Sequence, residues 1–233
     1  MSDAGGAARI LVLVSGNGTN LQALLDAEKR GGLGGAVISG VLSDRSGVYA
    51  LERARAAGVP AWTFPRGPDL SDRILSRARD LKADVIVLAG FLSILAGTLI
   101  EAYAGRMVNL HPSLLPKFGG KGMHGLAVHR AVLAAGEKLS GCTAHLVTRD
   151  VDAGEILLAR TVPVLPDDTP ERLADRVRAE EHAVITAAVK RLVAALRATA
   201  GGLEAAQPPA VPAWPPVVSE WCNTLSGEQS GCC

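Results

Sequence analysis

Apolar and polar positions follow two alternating rhythms along the chain. RILVLV, from Arg9, is a continuous apolar run rich in β-branched residues, the pattern of a strand buried on both faces. NLQALLDAEKR follows with apolar residues at helical spacing and stops at Gly31-Gly32. The pair then repeats, with AVISGVL as strand, ALERARAAG as helix, PAWTF as strand and DLSDRILSRARDLK as helix. DVIVLAG reads as another buried strand, MVNL as the next, and GLAVHRAVLAAG as a helix closed by Gly136. CTAHLVT alternates like a strand with one less buried face, and EILLARTVPVL reads as its partner through the RDVDAG turn. From Thr169 to about Ala198 the spacing predicts one long amphipathic helix. Thr169 suits its N-cap, Pro170 its first position, and Glu171 places a negative charge in the first turn.

This βαβ rhythm predicts an α/β fold of three layers, α/β/α, around a Rossmann-like, mostly parallel sheet. Ligands of such sheets gather beyond the carboxyl ends of the strands. The expected organisation is a flexible N-terminus over 1–8, a domain over 9–198 and a tail over 199–233. Within the domain, 9–108 reads as a nucleotide-binding half and 109–198 as a catalytic half. The tail carries QPPAVPAWPPVV, where proline forbids helix and central strand. No internal repeat is visible.

Composition narrows the classes. The 233 residues suffice for a substantial core, and 48% of them are hydrophobic. Aromatics are only 3%, so Leu, Val, Ile and Ala must fill the interior. Lys plus Arg number 24 against 23 for Asp plus Glu, which leaves no bulk field for nucleic acid or a membrane surface. The longest apolar stretch, VIVLAGFLSILAGTLI, falls short of the roughly 18 to 20 residues of a membrane helix and is interrupted by glycine and serine. MSDAGGAARI lacks the layout of a signal peptide. Cys142, Cys222, Cys232 and Cys233 form no CxxC pair and no metal-ligand spacing, so a reducing cytoplasm is the expected location.

Two segments carry candidate chemistry. SGNGTN, residues 15–20, joins the first strand to the first helix, and its glycines let backbone N–H groups turn toward an anion at the helix N-terminus. It lacks the Lys-Ser/Thr of a Walker loop, and Leu21 stands where a dinucleotide fingerprint needs its third glycine. A single phosphate therefore fits better than a dinucleotide. The competing reading is a tight turn with Thr19 or Asn20 capping the helix.

The second segment is NLHPSLLPKF, residues 109–118. Strand alternation turns Asn109 and His111 to the same side, and Pro112 and Pro116 stiffen the exit. A carboxamide and an imidazole side by side suit a carbonyl that becomes an oxyanion, with the imidazole able to move a proton near neutral pH. Asp152, in RDVDAGEI, is the candidate carboxylate that would favour a protonated His111. The bland alternatives are a structural histidine under a proline turn, and an Asx turn at Asp152.

With SGNGTNLQALL, LAGFLSIL, NLHPSLLPKF and GCTAHLVTRDVDAGEILL in this order, the chain resembles the folate-dependent formyltransferases, from roughly Arg9 to the end of the long helix. It is most similar to the branch that works on glycinamide ribonucleotide. The resemblance implies transfer of a formyl group from the co-substrate 10-formyltetrahydrofolate to the amine of that nucleotide in purine synthesis, without a metal. Asn109, His111 and Asp152 match the family's catalytic residues. Gly18, Thr19 and Asn20 match the loop that holds the phosphate, and Glu181 a carboxylate near the ribose hydroxyls. Leu92, Ser93, Ile94 and Leu95 match the backbone that receives the pterin, with Thr148 to Asp152 as the opposite wall; Asn109 and Asp152 belong to this folate pocket too. A cytoplasmic monomer or homodimer acting on small molecules is the expectation.

Three features depart from the family. Ser93 stands where many relatives carry arginine, which leaves the pterin contact to backbone groups. GGKGMHGLAVH is longer than in some relatives; Lys121 reads as solvated, and the roles of His124 and His129 stay open. The tail has no counterpart, and its terminal Cys-Cys fits a cytosolic enzyme's tail better than a lipidation site. Among rivals, a formyltetrahydrofolate hydrolase is expected to carry a domain before Arg9, and a methionyl-tRNA formyltransferase a further C-terminal domain with basic surface. A non-catalytic nucleotide-binding module is the rival of a different class.

Overall fold

In a computed structural model, which describes residues 6–200, the elements run β1 (Arg9–Val14), α1 (Thr19–Lys29), β2 (Val37–Ser43), α2 (Tyr49–Ala56), β3 (Ala61–Thr63), α3 (Leu70–Asp80) and β4 (Val85–Leu88). They continue with α4 (Thr98–Ala102), β5 (Met107–His111), α5 (Leu126–Ala134), β6 (Leu139–Leu146), β7 (Ile156–Pro163) and α6 (Pro170–Ala200). The seven strands make one sheet in the order β3-β2-β1-β4-β5-β6-β7. β1 to β5 are parallel, and β6 and β7 add to the edge in antiparallel pairing. The expected mostly parallel three-layer arrangement is what forms. Cys222, Cys232 and Cys233, with the tail beyond residue 200, lie outside the described residues.

The uninterrupted apolar runs follow from two-sided burial. Ile10, Val12 and Val14 of β1 enter a core shared with α1, α2 and α6, while Leu11 and Leu13 enter a second core under α3 and α4. β4 divides in the same way, Val85 and Val87 to the first core and Ile86 and Leu88 to the second. Alternation thus survives inside a run that shows none by polarity.

The chain enters the sheet at β1, crosses to β2 and β3 on one side, then returns past β1 to β4 and β5 on the other. The carboxyl ends of β1 and β4 therefore flank the point where the winding direction reverses, and the crevice opens there. The glycine loop leaves β1 and the Leu92–Leu95 segment follows β4. The expected long helix starts at Pro170, with the N–H of Arg172 donating to the Thr169 hydroxyl at 3.3 Å. Among the described residues no helix is long and apolar enough to cross a membrane.

α6 closes the first core over β5, β6 and β7, and Val177, Ile185 and Val189 are fully buried there. Ile185→Ala should lower the free energy of unfolding by about 2–5 kcal/mol, the range for emptying a buried aliphatic site, as read by urea denaturation. A loss below about 1 kcal/mol would show that α6 contributes little to the core.

Candidate active site

The glycine loop is shaped by close packing. Gly18 is the N-cap of α1 with φ 76, and a Cβ there would lie 2.6 Å from the Cβ of Ala50. A side chain is therefore excluded both by conformation and by α2. Neither Thr19 nor Asn20 caps the helix, contrary to the bland sequence reading, because Gly18 holds the cap position and makes no side-chain bond. The first turn of α1 holds no acidic residue, so its N–H groups and positive dipole end are not neutralised locally. Arg53 fastens the loop by donating to the Asn17 carbonyl at 2.9 Å. The Asn20 amide instead donates to Glu181, 161 positions away, at 2.9 Å.

At the end of β5, Val108 and Leu110 enter the first core while Asn109 and His111 take the side of Met107. The antiparallel register pairs Asn109 with His145 and His111 with Thr143 of β6. Asp152 arrives from the β6–β7 turn with φ 56, left-handed backbone that a short polar residue tolerates. Its carboxylate accepts the Gly120 N–H at 2.9 Å and lies 3.4 Å from Asn109 Nδ2. His111 Nδ1 stands 3.4 Å and His145 Nε2 3.5 Å from the same group. Gly119 permits the approach, since a Cβ there would fall 2.6 Å from Leu115 and 3.2 Å from the Cβ of Asp152.

The proline exit is held by hydrogen bonds as well as by its rings. Thr143 donates to the Ser113 carbonyl at 2.7 Å and accepts the Leu115 N–H at 3.2 Å. Ser113 donates to the Lys117 carbonyl at 2.7 Å. His111 Nε2 donates to the Phe118 carbonyl at 2.8 Å, which fixes the ring and turns Nδ1 toward Asp152. His145 is fixed in turn by Nδ1 donating to the Leu146 carbonyl at 2.9 Å, so in the neutral ring Nε2 accepts from Asn109 at 3.1 Å.

Burial and charge act in opposite directions on the two acid–base groups. For Asp152, burial is the largest influence and pushes the carboxyl up. The His145 ring, the Gly120 N–H and, in the acid range where a carboxyl titrates, the charged His111 ring outweigh it, leaving the group below its ordinary 3.8. For His111, burial pushes the imidazole below 6.5, and Asp152 with the Phe118 carbonyl offsets this only in part. This corrects the expectation of a protonated His111: the carboxylate acts in the expected direction, but the ring is only 4% exposed and desolvation wins. At neutral pH the protein holds a neutral imidazole beside an ionised carboxylate.

These groups face one cavity of about 540 Å³ that also receives Asn20, Glu181, Leu92, Ser93, Ile94, Leu95 and Thr148. Gly18 and Thr19 stand outside that lining; Thr19 borders a separate depression with Gln22, Arg53 and His182. Leu92, Ile94 and Val151 expose apolar surface at the cavity, 41%, 60% and 41% respectively. Ser93 turns its hydroxyl to Asp44, at 2.7 Å. Lys121 and His124 are exposed at the rim, whereas His129 is buried with Nδ1 unpartnered among the described residues. The buried Cys142 thiol is pushed up to about 12 by desolvation, which removes it from thiolate chemistry. Among the described residues no group of three His, Cys, Asp or Glu is placed to hold a metal ion.

Sequence reading missed His145 and Arg178. His145 was legible as the same-face neighbour of Thr143 in CTAHLVT, once β6 is paired with β5. Arg178 precedes Glu181 by three residues on α6, so both face the cavity, and it brings a cation to the cavity wall.

A sequence profile described as formyl transferase matches residues 8–189. The chain belongs to the formyl transferase family. It is 40% identical over 189 residues to the chloroplastic phosphoribosylglycinamide formyltransferase of Vigna unguiculata, covering 79% of this chain and 60% of that protein. It is 42% identical over 192 residues to the trifunctional purine biosynthetic protein adenosine-3 of Drosophila melanogaster, covering 79% of this chain and 14% of that one. The match therefore spans less than two thirds of both proteins. Against the phosphoribosylglycinamide formyltransferase of Escherichia coli the identity is 41% over 180 residues, with 75% and 82% covered.

Crystal structures of other proteins superpose on the fold. Glycinamide ribonucleotide transformylase 1 from Symbiobacterium toebii superposes with a TM-score of 0.76 at 38% identity, over 83% of this chain and 93% of that one. A formyltetrahydrofolate deformylase from Pseudomonas syringae gives 0.74 at 25% identity, over 83% and 63%. In this formyl transferase, imidazole NMR should show His111 titrating below 6.5, and lower still in Asp152→Asn, because the carboxylate is an influence that raises it. A His111 titration above 7 would reverse the balance of burial and charge described here.

Proposed function

We propose that this formyl transferase moves the formyl group of 10-formyltetrahydrofolate to the amine of glycinamide ribonucleotide, a step of purine biosynthesis. One observation carries the reading. Asn109, His111 and Asp152 converge on a single cavity whose wall holds the Asn20–Glu181 pair beside the α1 N-terminus, and also the Leu92–Leu95 segment. Residues 9–108 then supply the phosphate loop and 109–198 the reacting groups, with Leu92–Leu95 and Glu181 each crossing over. The relatives' names support the same substrate.

In this reading the N–H groups of Gly18, Thr19 and Asn20 and the cation of Arg178 take the phosphate. Glu181, oriented by Asn20, takes the ribose hydroxyls. The apolar faces of Leu92, Ile94 and Val151, with Thr148 opposite, bracket the folate. Asn109 donates to the formyl oxygen as the substrate amine adds to the formyl carbon. His111 is neutral at the start, so it accepts the proton that the new ammonium loses, either directly or through a water held by Asp152. The forming oxyanion and Asp152 then both favour its charged state. As the bond from carbon to the folate nitrogen breaks, His111 returns that proton to the leaving nitrogen, and the balance closes.

The second reading is hydrolysis of the formyl group, favoured by the likeness to the deformylase and by a carboxylate able to hold water. Incubation with 10-formyltetrahydrofolate, with and without glycinamide ribonucleotide, separates them. Tetrahydrofolate should form only when the nucleotide is present; equal product without it identifies a hydrolase, and none in either case a binding module. Asn109→Ala and Asp152→Ala should each lower kcat by about 10²–10⁴. The acid limb of kcat/KM should fall below 6.5, since a neutral His111 is required and its pKa is depressed. A limb above 7 would remove it as the base. Asn20→Ala should weaken nucleotide binding about tenfold by calorimetry, for the loss of a hydrogen bond to a charged group; an unchanged Kd would detach Asn20 and Glu181 from the nucleotide.

A further inference from the structure

Asp44 is a buried charge outside the reacting trio. It follows the last residue of β2, and its side chain is 0% exposed. Its Oδ2 accepts hydrogen bonds from the Ser93 hydroxyl and from Arg66 Nε, both at 2.7 Å. Burial is the largest influence on the carboxyl and pushes it up, but the hydroxyls of Ser15 and Ser93 and the Arg66 guanidinium hold it below its ordinary value. A carboxylate kept ionised without solvent is costly unless well paired, and Oδ1 has no partner among the described residues.

What this charge grips is the segment leaving β4. Ser15, directly after β1, donates its N–H to the Gly90 carbonyl at 3.1 Å and accepts the Leu92 N–H on its hydroxyl at 2.8 Å. Asp44, directly after β2, takes the next side chain, Ser93. Arg66, beyond β3 and half exposed, closes the outer side of the cluster. Two adjacent strand ends thus hold the 90–93 turn at successive points, with Arg66 steadying the second through Asp44, and the wall from Leu92 to Leu95 lines the reaction cavity. Resting on the functional reading above, we propose that Asp44 is a positioning residue for the folate-side wall: through Ser93 it fixes the main chain against which the pterin is recognised, without touching either substrate.

The test uses the full chain carrying Asp44→Ala, Asp44→Asn, Ser93→Ala, or Asp44→Asn with Ser93→Ala. Each is assayed for thermal midpoint, calorimetric affinity for tetrahydrofolate, and kcat and KM for both substrates. Asp44→Ala should raise the Kd for tetrahydrofolate and the KM for 10-formyltetrahydrofolate about tenfold or more. The nucleotide KM and kcat should move less than about threefold, the separation expected when ground-state binding alone is lost. Asp44→Asn, which keeps an acceptor for Ser93, should fall between. The double variant should bind folate no worse than its weaker parent, because both changes cut one link.

Folate affinity unchanged in folded Asp44 variants, equal losses for both substrates, or additive effects in the double variant would each overturn the proposal. Should Asp44→Ala not fold, Ser93→Ala keeps the Arg66 ion pair and must still weaken folate selectively; an unchanged Kd there has the same consequence. Wild-type protein that binds no tetrahydrofolate sinks the functional reading and this inference together, whereas wild-type binding with indifferent variants sinks this inference alone.

Discussion

Burial alone would push the Asp152 carboxyl above its ordinary value. The Gly120 N–H from the glycine-rich loop and the His145 ring from β6 outweigh burial and hold it below its ordinary value, and the Asn109 amide from β5 lies 3.4 Å away, so three separate segments meet at this one group. The rest of the site depends on that meeting. Without the charge, a protonated His111 has no acceptor opposite Nδ1, and the loop from Pro112 to Gly120 loses its tie to the β6–β7 turn. Chain features that look unrelated serve this contact, among them Gly119, the left-handed backbone at Asp152 and the hydroxyls of Ser113 and Thr143 that hold the loop.

The sheet topology explains why the meeting happens where it does. The winding reversal puts the ends of β1 and β4 side by side, so the glycine loop and the Leu92–Leu95 segment border the same crevice. β5 is the next strand along, and its last residues fall at the edge of that crevice. β6 and β7 then run antiparallel, which lets a short turn carry Asp152 back over the end of β5. A wholly parallel sheet would need a crossover of a dozen or more residues at this point and would carry the turn elsewhere.

Local patterns were readable in the sequence, and long-range partners were not. The Asn109–His111 pair could be placed on one face because alternation is a property of the strand itself. The apolar runs of β1 and β4 could be read as two-sided for the same reason. Whether Asp152 reached His111 depended on the registers of β6 and β7 and on the loop at Gly119, none of which a linear pattern encodes. Asn20 is the clearest case: its residue type and position suit a helix cap, yet its amide faces a carboxylate on α6. His145 shows the converse, a chemically informative residue in a strand read as having one less buried face, whereas Ser140 to Leu146 are all buried. Ser93, read as a loss of a basic contact, is tied to a buried carboxylate supplied by a different strand end.

The protonation of His111 shows how magnitudes alter a mechanism drawn from proximity. An imidazole beside a carboxylate invites the reading of a ready-made cation, and a cation would stabilise an oxyanion well. A ring already protonated could not take the proton that the attacking amine must lose, so a second base would be required. Burial removes that conflict by keeping the ring neutral until a new negative charge appears next to it. Both the formyl oxygen and Asp152 then pull in the same direction, and proton affinity rises as the tetrahedral carbon forms. The desolvation that opposes the charge in the resting protein also strengthens the field of the oxyanion in the cavity, since both follow from the same low-dielectric surroundings.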